Sequence, residues 1–321
     1  MDVSIILVSY NTKDLTRDCI KSIYEKTQNV AYDVFVVDNA SSDGSAQMIK
    51  EEFPDVKLIE SPENLGFGRA NNLAIKQSEA KYCFLLNTDT VLVNNAVKIL
   101  FDFMENPDNS DVGGCGGQLY NVDMSLQDSI GEFDTLDKLR KKALGLNFNK
   151  LLYRYKHIFK TQVLKHKETL KEDKSYALSD DYNPDFIIGA DLMLRKSSLS
   201  KVGAFNERFF MFGEEAELCF RLKKNGYKIK FVPKSSIIHF GGASAFKANN
   251  QLKVEKMGLE GTILFFNICY GEKAAKEAKL LYIIYYLRYL LIRFFTPKAY
   301  LRLKMSWKIK ILAISLIAYR F

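Results

Sequence analysis

Alternation of strand and helix signals over the first hundred residues constrains this chain more than any other feature. Residues 3–8 form a continuous β-rich run, as expected of a strand buried on both faces. Residues 12–27 then place Leu15, Cys19, Ile20 and Ile23 on one helical face. The pattern predicts further strands at 34–37, 56–59 and 82–86. Between them it predicts helices at 41–53, with Ala46, Ile49 and Phe53 inward, and at 70–77. Asn94 is placed to cap a helix over 96–104. This βαβαβαβ order predicts an α/β fold with a doubly wound, mostly parallel sheet. Ligands of such folds sit at the carboxyl ends of the strands.

Polar residues collect at those ends. Ser9, Tyr10 and Asn11 follow the first strand, Asp38, Asn39 and Ser41 the second, and Asn87 and Asp89 the fourth. Any one of these groups alone reads equally well as turn chemistry. Three in register at one sheet edge read as a binding site.

After residue 120 the pattern changes. Residues 137–174 are helical in character and basic, with twelve Lys/Arg against four Asp/Glu. A strand-like run at 186–194 precedes a short helix at 197–202. A helix at 214–225 turns Leu218 and Leu222 inward and ends at Gly226. Short strands follow at 228–232 and 236–240. Residues 270–321 carry eleven Lys/Arg against two Asp/Glu, interleaved with Tyr, Leu and Phe. The net charge of the whole chain is only +8, so the rest is acidic. Two basic surfaces beside an acidic core imply an anionic partner. The longest apolar stretch, 280–295, is broken by Arg288 and Arg293 and falls short of the roughly 20 clean residues a spanning helix needs. A helix lying on an anionic membrane surface is expected; the alternative is packing on the catalytic domain or homo-oligomer formation through the C-terminal helices. Nucleic acid is excluded as a partner, since the basic segments are too apolar and no base-reading motif occurs. The five cysteines show no C-x-x-C spacing, which suits a reducing compartment. No basic lead precedes residues 3–8, so a secretory leader is not expected.

The motifs V-S-Y-N at 8–11, D-N-A-S-S-D-G-S at 38–45, N-L-G-F-G-R-A-N-N at 64–72 and L-L-N-T-D-T at 85–90 occur in that order. They are followed by G-A-D-L-M-L-R at 189–195, V-G-A-F-N-E-R-F-F-M-F-G-E-E-A-E-L-C-F-R-L at 202–222 and I-I-H-F-G-G-A-S at 237–244. This ordered set resembles the family 2 glycosyltransferases of the GT-A fold, especially their bacterial rhamnosyltransferase-like branch. The G-F-G within it is no dinucleotide fingerprint, because the third glycine is missing. A nucleotidyltransferase would show a Gly-rich, lysine-containing loop after the first strand, and residues 9–15 have none.

The resemblance implies a glycosyltransferase domain over 1–265. Residues 1–120 bind the nucleotide sugar, 137–174 form a basic helical insert, 185–245 form the acceptor half, and 266–321 form a basic amphipathic membrane-associating tail. It implies inverting, metal-dependent transfer from a nucleotide diphosphate sugar, dTDP-rhamnose being the best guess, to a lipid-linked or polysaccharide acceptor. The place is the cytoplasmic face of the cell membrane. The alternatives are a non-catalytic nucleotide-sugar-binding or assembly protein, or use of a UDP-sugar such as UDP-galactofuranose.

By the same resemblance Val8, Tyr10, Asn11, Asn72, Asn87 and Thr88 contact the nucleotide sugar. Asp38 accepts from the N3–H of uracil or thymine, and Arg69 reaches the base or a phosphate with its planar fork, or is a surface charge. Asp89 ends the metal-binding D-x-D motif, with Asn87 replacing the first aspartate. His239 matches a histidine that completes the metal or diphosphate site. Oxygen ligands suit a divalent cation, Mg or Mn. Glu214-Glu215-Ala216-Glu217 stands where the family shows E-D-x-D, so the base maps to Glu215, with Glu214 as fallback. Both usual aspartates are glutamates here, and acids at a helix start also favour the helix dipole. Asp191 and Glu217 are placed to bind the acceptor, and Arg195 reads as a surface charge.

Overall fold

The computed structural model describes residues 1–145, 183–241 and 251–294. Two compact units divide the chain, Met1–Phe133 with Leu178–Phe265, and Asp134–Ala177 with Phe266–Phe321.

The first unit is built on an eight-stranded sheet. Its strands in chain order are β1 (Val3–Ser9), β2 (Tyr32–Asp38), β3 (Lys57–Glu60), β4 (Tyr82–Leu86), β5 (Thr90–Leu92), β6 (Val112–Tyr120), β9 (Asp191–Arg195) and β10 (Lys228–His239). A separate two-stranded ribbon pairs β7 (Ile130–Gly131) with β8 (Phe186–Ile187). The sheet order is β3-β2-β1-β4-β9-β6-β10-β5. The first four strands are parallel; β9 runs antiparallel to both β4 and β6, and β5 antiparallel to β10.

Alternation along β1 explains the continuous apolar run that marks it. Ile5 and Leu7 enter one core with Cys19, Ile20 and Ile23 of α1 (Lys13–Lys26), Ile49 of α2 (Ser45–Glu52) and Leu100 of α4 (Ala96–Glu105). Ile6 faces the opposite core with Ala70 and Ala74 of α3 (Phe67–Gln77) and Leu218 and Leu222 of the helix Glu214–Lys224. A strand clamped between two helical layers has no wet face, so no polar alternation appears in its sequence.

Several details differ from the sequence reading. Leu15 is only half-buried, and Thr16 takes a core position on α1, its hydroxyl 3.0 Å from that of Ser9. Met48, not Ala46, reaches the core from α2. Asn94 does not cap α4. The N-cap is Asn95, and Asn94 instead donates to the Lys234 carbonyl at 2.8 Å and accepts from the Ser236 N–H at 3.1 Å. The strand-like run at 186–194 is two strands, and the two short strands after 228 are one, with a register shift between Val232 and Ser236. Arg195 is no surface charge. Its guanidinium donates to the carbonyls of Val112, Met104 and Asn109 and to the Tyr82 hydroxyl, tying β9 to the end of α4.

Two further helices complete the first unit's functional half, α6 (Lys196–Val202) and α7 (Glu214–Lys224), and α8 spans Gln251–Tyr270. In the second unit α5 (Leu136–Leu144) packs against α9 (Glu272–Phe294). Arg140 pairs with Glu277, and Arg288 donates to the carbonyl of Ala143. Charge on α9 is concentrated in its first two turns, whereas 280–287 is apolar on every face. No helix among the described residues is long and apolar enough to cross a membrane. Most of the basic block, 146–174, and the tail beyond 294 lie outside the described residues.

Candidate active site

A cavity of about 590 Å³ opens where the carboxyl ends of β1 and β4 meet the amino end of α7. That volume lies in the range of small-ligand sites. Val8, Tyr10, Asn87, Thr88, Asp89, Glu214, Glu215 and His239 all line it. Tyr10, Asn39, Asn87 and Asp89, from three separate strand ends, thus come together with the acidic helix start more than a hundred residues away.

Asp89 and His239 meet because β5 and β10 pair antiparallel, with His239 opposite Thr90. The Phe240 N–H donates to the Asp89 carbonyl at 2.9 Å, closing the register. His239 Nε2 then stands 3.4 Å from Asp89 Oδ1, both side chains largely buried. The carboxylate oxygen is a donor suited to Mn²⁺ or Mg²⁺, and the imidazole nitrogen beside it suits a transition-metal ion such as Mn²⁺ better than Mg²⁺. Among the described residues no group of three His, Cys, Asp or Glu converges. Such an ion would draw its other ligands from phosphate oxygens and water, the usual habit of magnesium.

Glu214 and Glu215 begin α7, immediately after two residues with positive φ, Phe212 at 72° and Gly213 at 93°. A phenylalanine in that region is strained, and strain of this kind gathers at functional sites. Glu214 is buried, and its Oε2 has no hydrogen-bond partner. Burial, then the neighbouring Glu215 charge, pushes its carboxyl well above the ordinary range. Glu215 is half-buried; burial raises it too, opposed by backbone N–H groups of Glu215 and Gly213. The two carboxyls titrate as a pair. The environment favours the proton on Glu214 and leaves Glu215 the more available base.

Six further candidates lie outside the cavity wall. Asn11 accepts from the Ser42 N–H at 2.8 Å and shapes the loop after β1. Asp38 is buried, with Oδ2 accepting from the Ser41 N–H at 3.0 Å and Oδ1 without a hydrogen bond. Arg69 has a buried Nε with no partner. Both amide atoms of Asn72 bond the Phe205 backbone, which fastens α3 to the loop before α7. Glu217 is fully buried and makes a two-pronged pair with Nε and Nη2 of Arg221, whose Nη1 donates to the carbonyls of Val202 and Gly203 and whose Nη2 also donates to that of Ala204. Asp191 is also fully buried, accepts from the Gly117 N–H at 2.6 Å, and is pushed well above the usual carboxylate range by burial. Neither of the last two carboxyls lines the cavity.

The sequence assigns no role to a further stretch of the wall. Phe210, Met211 and Phe212 line it, joined by Lys253, Val254 and Met257 of α8. Asn39, among the polar residues after β2, also lines the cavity: it accepts from the Leu65 N–H and donates to Asn64 and to the Gly66 carbonyl, holding the N-L-G-F turn against it.

The model of the family described as Glycosyl transferase family 2 matches residues 4–203. The chain belongs to glycosyl transferase family 2. A relative within reach is the N-acetylglucosaminyl-diphospho-decaprenol L-rhamnosyltransferase of Mycobacterium tuberculosis, 24% identical over 64% of this chain and 66% of its own. The chain thus spans just under two thirds of that relative's length. Rhamnosyltransferase WbbL of Escherichia coli is 25% identical over 74% of this chain and 83% of its own. Among solved structures, a mannosyltransferase from Pyrobaculum calidifontis in complex with GDP-Man and Mn²⁺ superposes with a TM-score of 0.55. It is 14% identical and covers 98% of this chain and 86% of its own. The family's GT-A arrangement is therefore the fold of this chain, with C-terminal helices following the sheet.

Proposed function

We propose that this chain is an inverting, cation-dependent glycosyltransferase of cell-surface glycan synthesis. It moves a hexosyl group, rhamnose from dTDP-rhamnose, to a lipid-linked acceptor. The observation that carries this reading is the cavity itself, which is lined by both the Asp89–His239 pair and the Glu214–Glu215 pair. Single displacement at an anomeric carbon needs both functions in one site, one beside the departing diphosphate and one beside the attacking hydroxyl.

A divalent cation held by Asp89 and His239 would neutralise the charge that the diphosphate gains on leaving. The protein's own groups supply the rest. Glu215 accepts the proton of the acceptor hydroxyl as that oxygen bonds to the anomeric carbon. The bond from that carbon to the diphosphate oxygen breaks, and its electron pair leaves with the diphosphate. Asn87 and Thr88 face the donor from the end of β4. Asp38 offers its unpaired Oδ1 to the base after a small opening of its loop. Phe210, Met211 and Phe212 form the apolar side of the cavity and suit the acceptor. The basic segments draw the enzyme to an anionic, cytoplasmic membrane face, where a lipid-linked acceptor is presented.

The test is release of nucleoside diphosphate by the purified protein from a panel of nucleotide sugars, with Mn²⁺ and with EDTA. Release from one donor, dependent on acceptor lipid and abolished by EDTA or Asp89→Ala, is expected. Full turnover in EDTA overturns the cation role. Tight donor binding with no turnover on any donor would instead make the chain a binding protein. Release from a UDP-sugar alone would replace rhamnose as the donor.

A further inference from the structure

Gln127 touches the site from behind and belongs to no motif quoted above. Its Oε1 lies 2.8 Å from Nδ1 of His239. The amide's orientation is set from its other end, where Nε2 donates to Asn121 Oδ1 at 3.3 Å. Asn121 is oriented in turn: the Ser125 hydroxyl donates its proton to Asp123 Oδ1 at 2.5 Å, so at 2.9 Å it can only accept from Asn121 Nδ2. The oxygen of Gln127 therefore faces the imidazole, and an oxygen can only accept. Nδ1 carries the proton, and the lone pair of the neutral ring is left on Nε2, the nitrogen 3.4 Å from Asp89.

The backbone holds Gln127 to this task. Its N–H donates to the Leu119 carbonyl at 2.9 Å, and its own carbonyl accepts from Gln118 Nε2 at 3.1 Å and from the Ser129 hydroxyl at 3.2 Å. The turn that returns the chain from β6 is pinned by the bridge between Tyr120 and Leu126. The amide thus reaches the imidazole from a braced position.

We propose that Gln127 is a positioning residue, one that holds His239 in the Nδ1-protonated tautomer so that Nε2 joins Asp89 as a divalent-cation ligand. The inference rests on the cation role given above. Its physical content is a choice between two tautomers. With the proton on Nε2, the ring would donate to Asp89, and the pair would close on itself. With the proton on Nδ1, carboxylate and imidazole turn two lone pairs on one point, which is a cation's demand. Partners that orient a ligating histidine in this way typically contribute 10- to 100-fold in metal affinity.

Two substitutions separate this role from mere packing. Gln127→Leu keeps bulk and removes the acceptor, whereas Gln127→Glu keeps an acceptor. In full-length protein with ¹⁵N-labelled histidine and no metal, at a pH where the ring is neutral, His239→Gln assigns the resonances of His239. Wild type and Gln127→Glu should show a protonated Nδ1 and a bare Nε2, and Gln127→Leu a mixture or the reverse. Mn²⁺ binding followed by electron paramagnetic resonance should weaken about 10- to 100-fold in Gln127→Leu and not in Gln127→Glu. An unchanged tautomer in Gln127→Leu overturns the proposal. So does Mn²⁺ binding as tight as wild type in Gln127→Leu when His239→Ala binds weakly. Unchanged Mn²⁺ binding in both Asp89→Ala and His239→Ala overturns the cation role itself, and with it the ligand half of the proposal. The metal-free spectrum shows which of the two has failed.

Discussion

A Cβ on Gly66 would stand 2.0 Å from the carbonyl oxygen of Phe210. The Phe67 N–H donates to that same oxygen at 2.9 Å. On the far side of the loop, a Cβ on Gly261 would stand 2.1 Å from the carbonyl oxygen of Phe212. The three cavity-lining residues at 210–212 are thus gripped through their backbone at both ends, one grip from the start of α3 and one from α8. Their side chains are free to form the cavity wall.

Gly66→Ala should therefore damage stability and site together. Gly66 has φ 78° and ψ −167°, a region open essentially to glycine alone. Strain of that kind costs of order 1–3 kcal/mol, and the clash with the Phe210 backbone adds to it. Thermal unfolding should show a fall in Tm of several degrees, with donor turnover lowered at temperatures where the variant is still folded. Gly258→Ala is the control, since it sits in α8 with nothing within 4 Å and should be neutral or stabilising.

Asp191→Asn tests whether that residue binds acceptor or serves the sheet. Its carboxyl lies well above the ordinary aspartate range because it is buried, and the Gly117 N–H only partly offsets this. A raised folded-state pKa means that the native state holds the proton longer than the unfolded chain. Stability contributed by this group therefore falls as pH rises above the ordinary aspartate pKa. Asparagine copies the protonated form and still accepts from Gly117. The variant should lose that downward slope and match or exceed the wild-type Tm at pH 8, by about 2–4 °C for each kcal/mol recovered. KM for acceptor should stay within about threefold, since the carboxyl does not reach the cavity. A large rise in KM with unchanged stability would return Asp191 to the acceptor site.

The basic tail carries a prediction of its own. Each basic residue near an anionic surface contributes about 1 kcal/mol. Replacing Lys298, Arg302, Lys304, Lys308 and Lys310 by Gln should cut binding to phosphatidylglycerol vesicles by more than about tenfold in a sedimentation assay. Raised salt should imitate the change in the wild type. Unaltered sedimentation would shift the membrane contact to the basic block at 137–174.

What was legible in the sequence follows from which physical constraints leave a pattern. Strands β1 and β4 are clamped between two helical layers, so their apolar runs are unbroken and their ends stand out by polarity. Strand β6 left no such mark, because four of its nine residues are glycine. Their reason is tertiary: a Cβ on Gly116 would lie 2.4 Å from the Asp191 carbonyl oxygen, and one on Gly117 2.5 Å from the Ser235 hydroxyl. Crowding between strands selects against side chains there, and glycine in sequence reads as a breaker. Helix α8 was hidden similarly by Gly261, which the Phe212 carbonyl requires. The family resemblance names Asp89 and His239 separately, but their pairing depends on the register of β5 against β10. Gln127 was not legible at all: its role is one hydrogen bond from a turn, and a lone glutamine in a polar loop carries no signal.

The carboxyl pair at the head of α7 gives the sharpest test. Glu215 must be ionised to accept a proton, and burial raises its pKa. The acid limb of kcat should therefore lie above the ordinary glutamate range, with rate lost as pH falls through the raised value. General bases contribute typically 10²–10⁴-fold, so Glu215→Gln should lose at least about a hundredfold in kcat with donor affinity nearly unchanged. Glu214→Gln should keep most of its turnover, because burial together with the Glu215 charge already holds its proton in place. It should also be more stable than wild type at alkaline pH, where the native protein must strip that buried carboxyl. Glu215→Asp reports on reach: a site fitted to the longer side chain should be impaired by the shorter one. An inactive Glu214→Gln beside an active Glu215→Gln would move the base by one residue. Near-normal turnover in both would leave the displacement without a base and the proposed chemistry wrong.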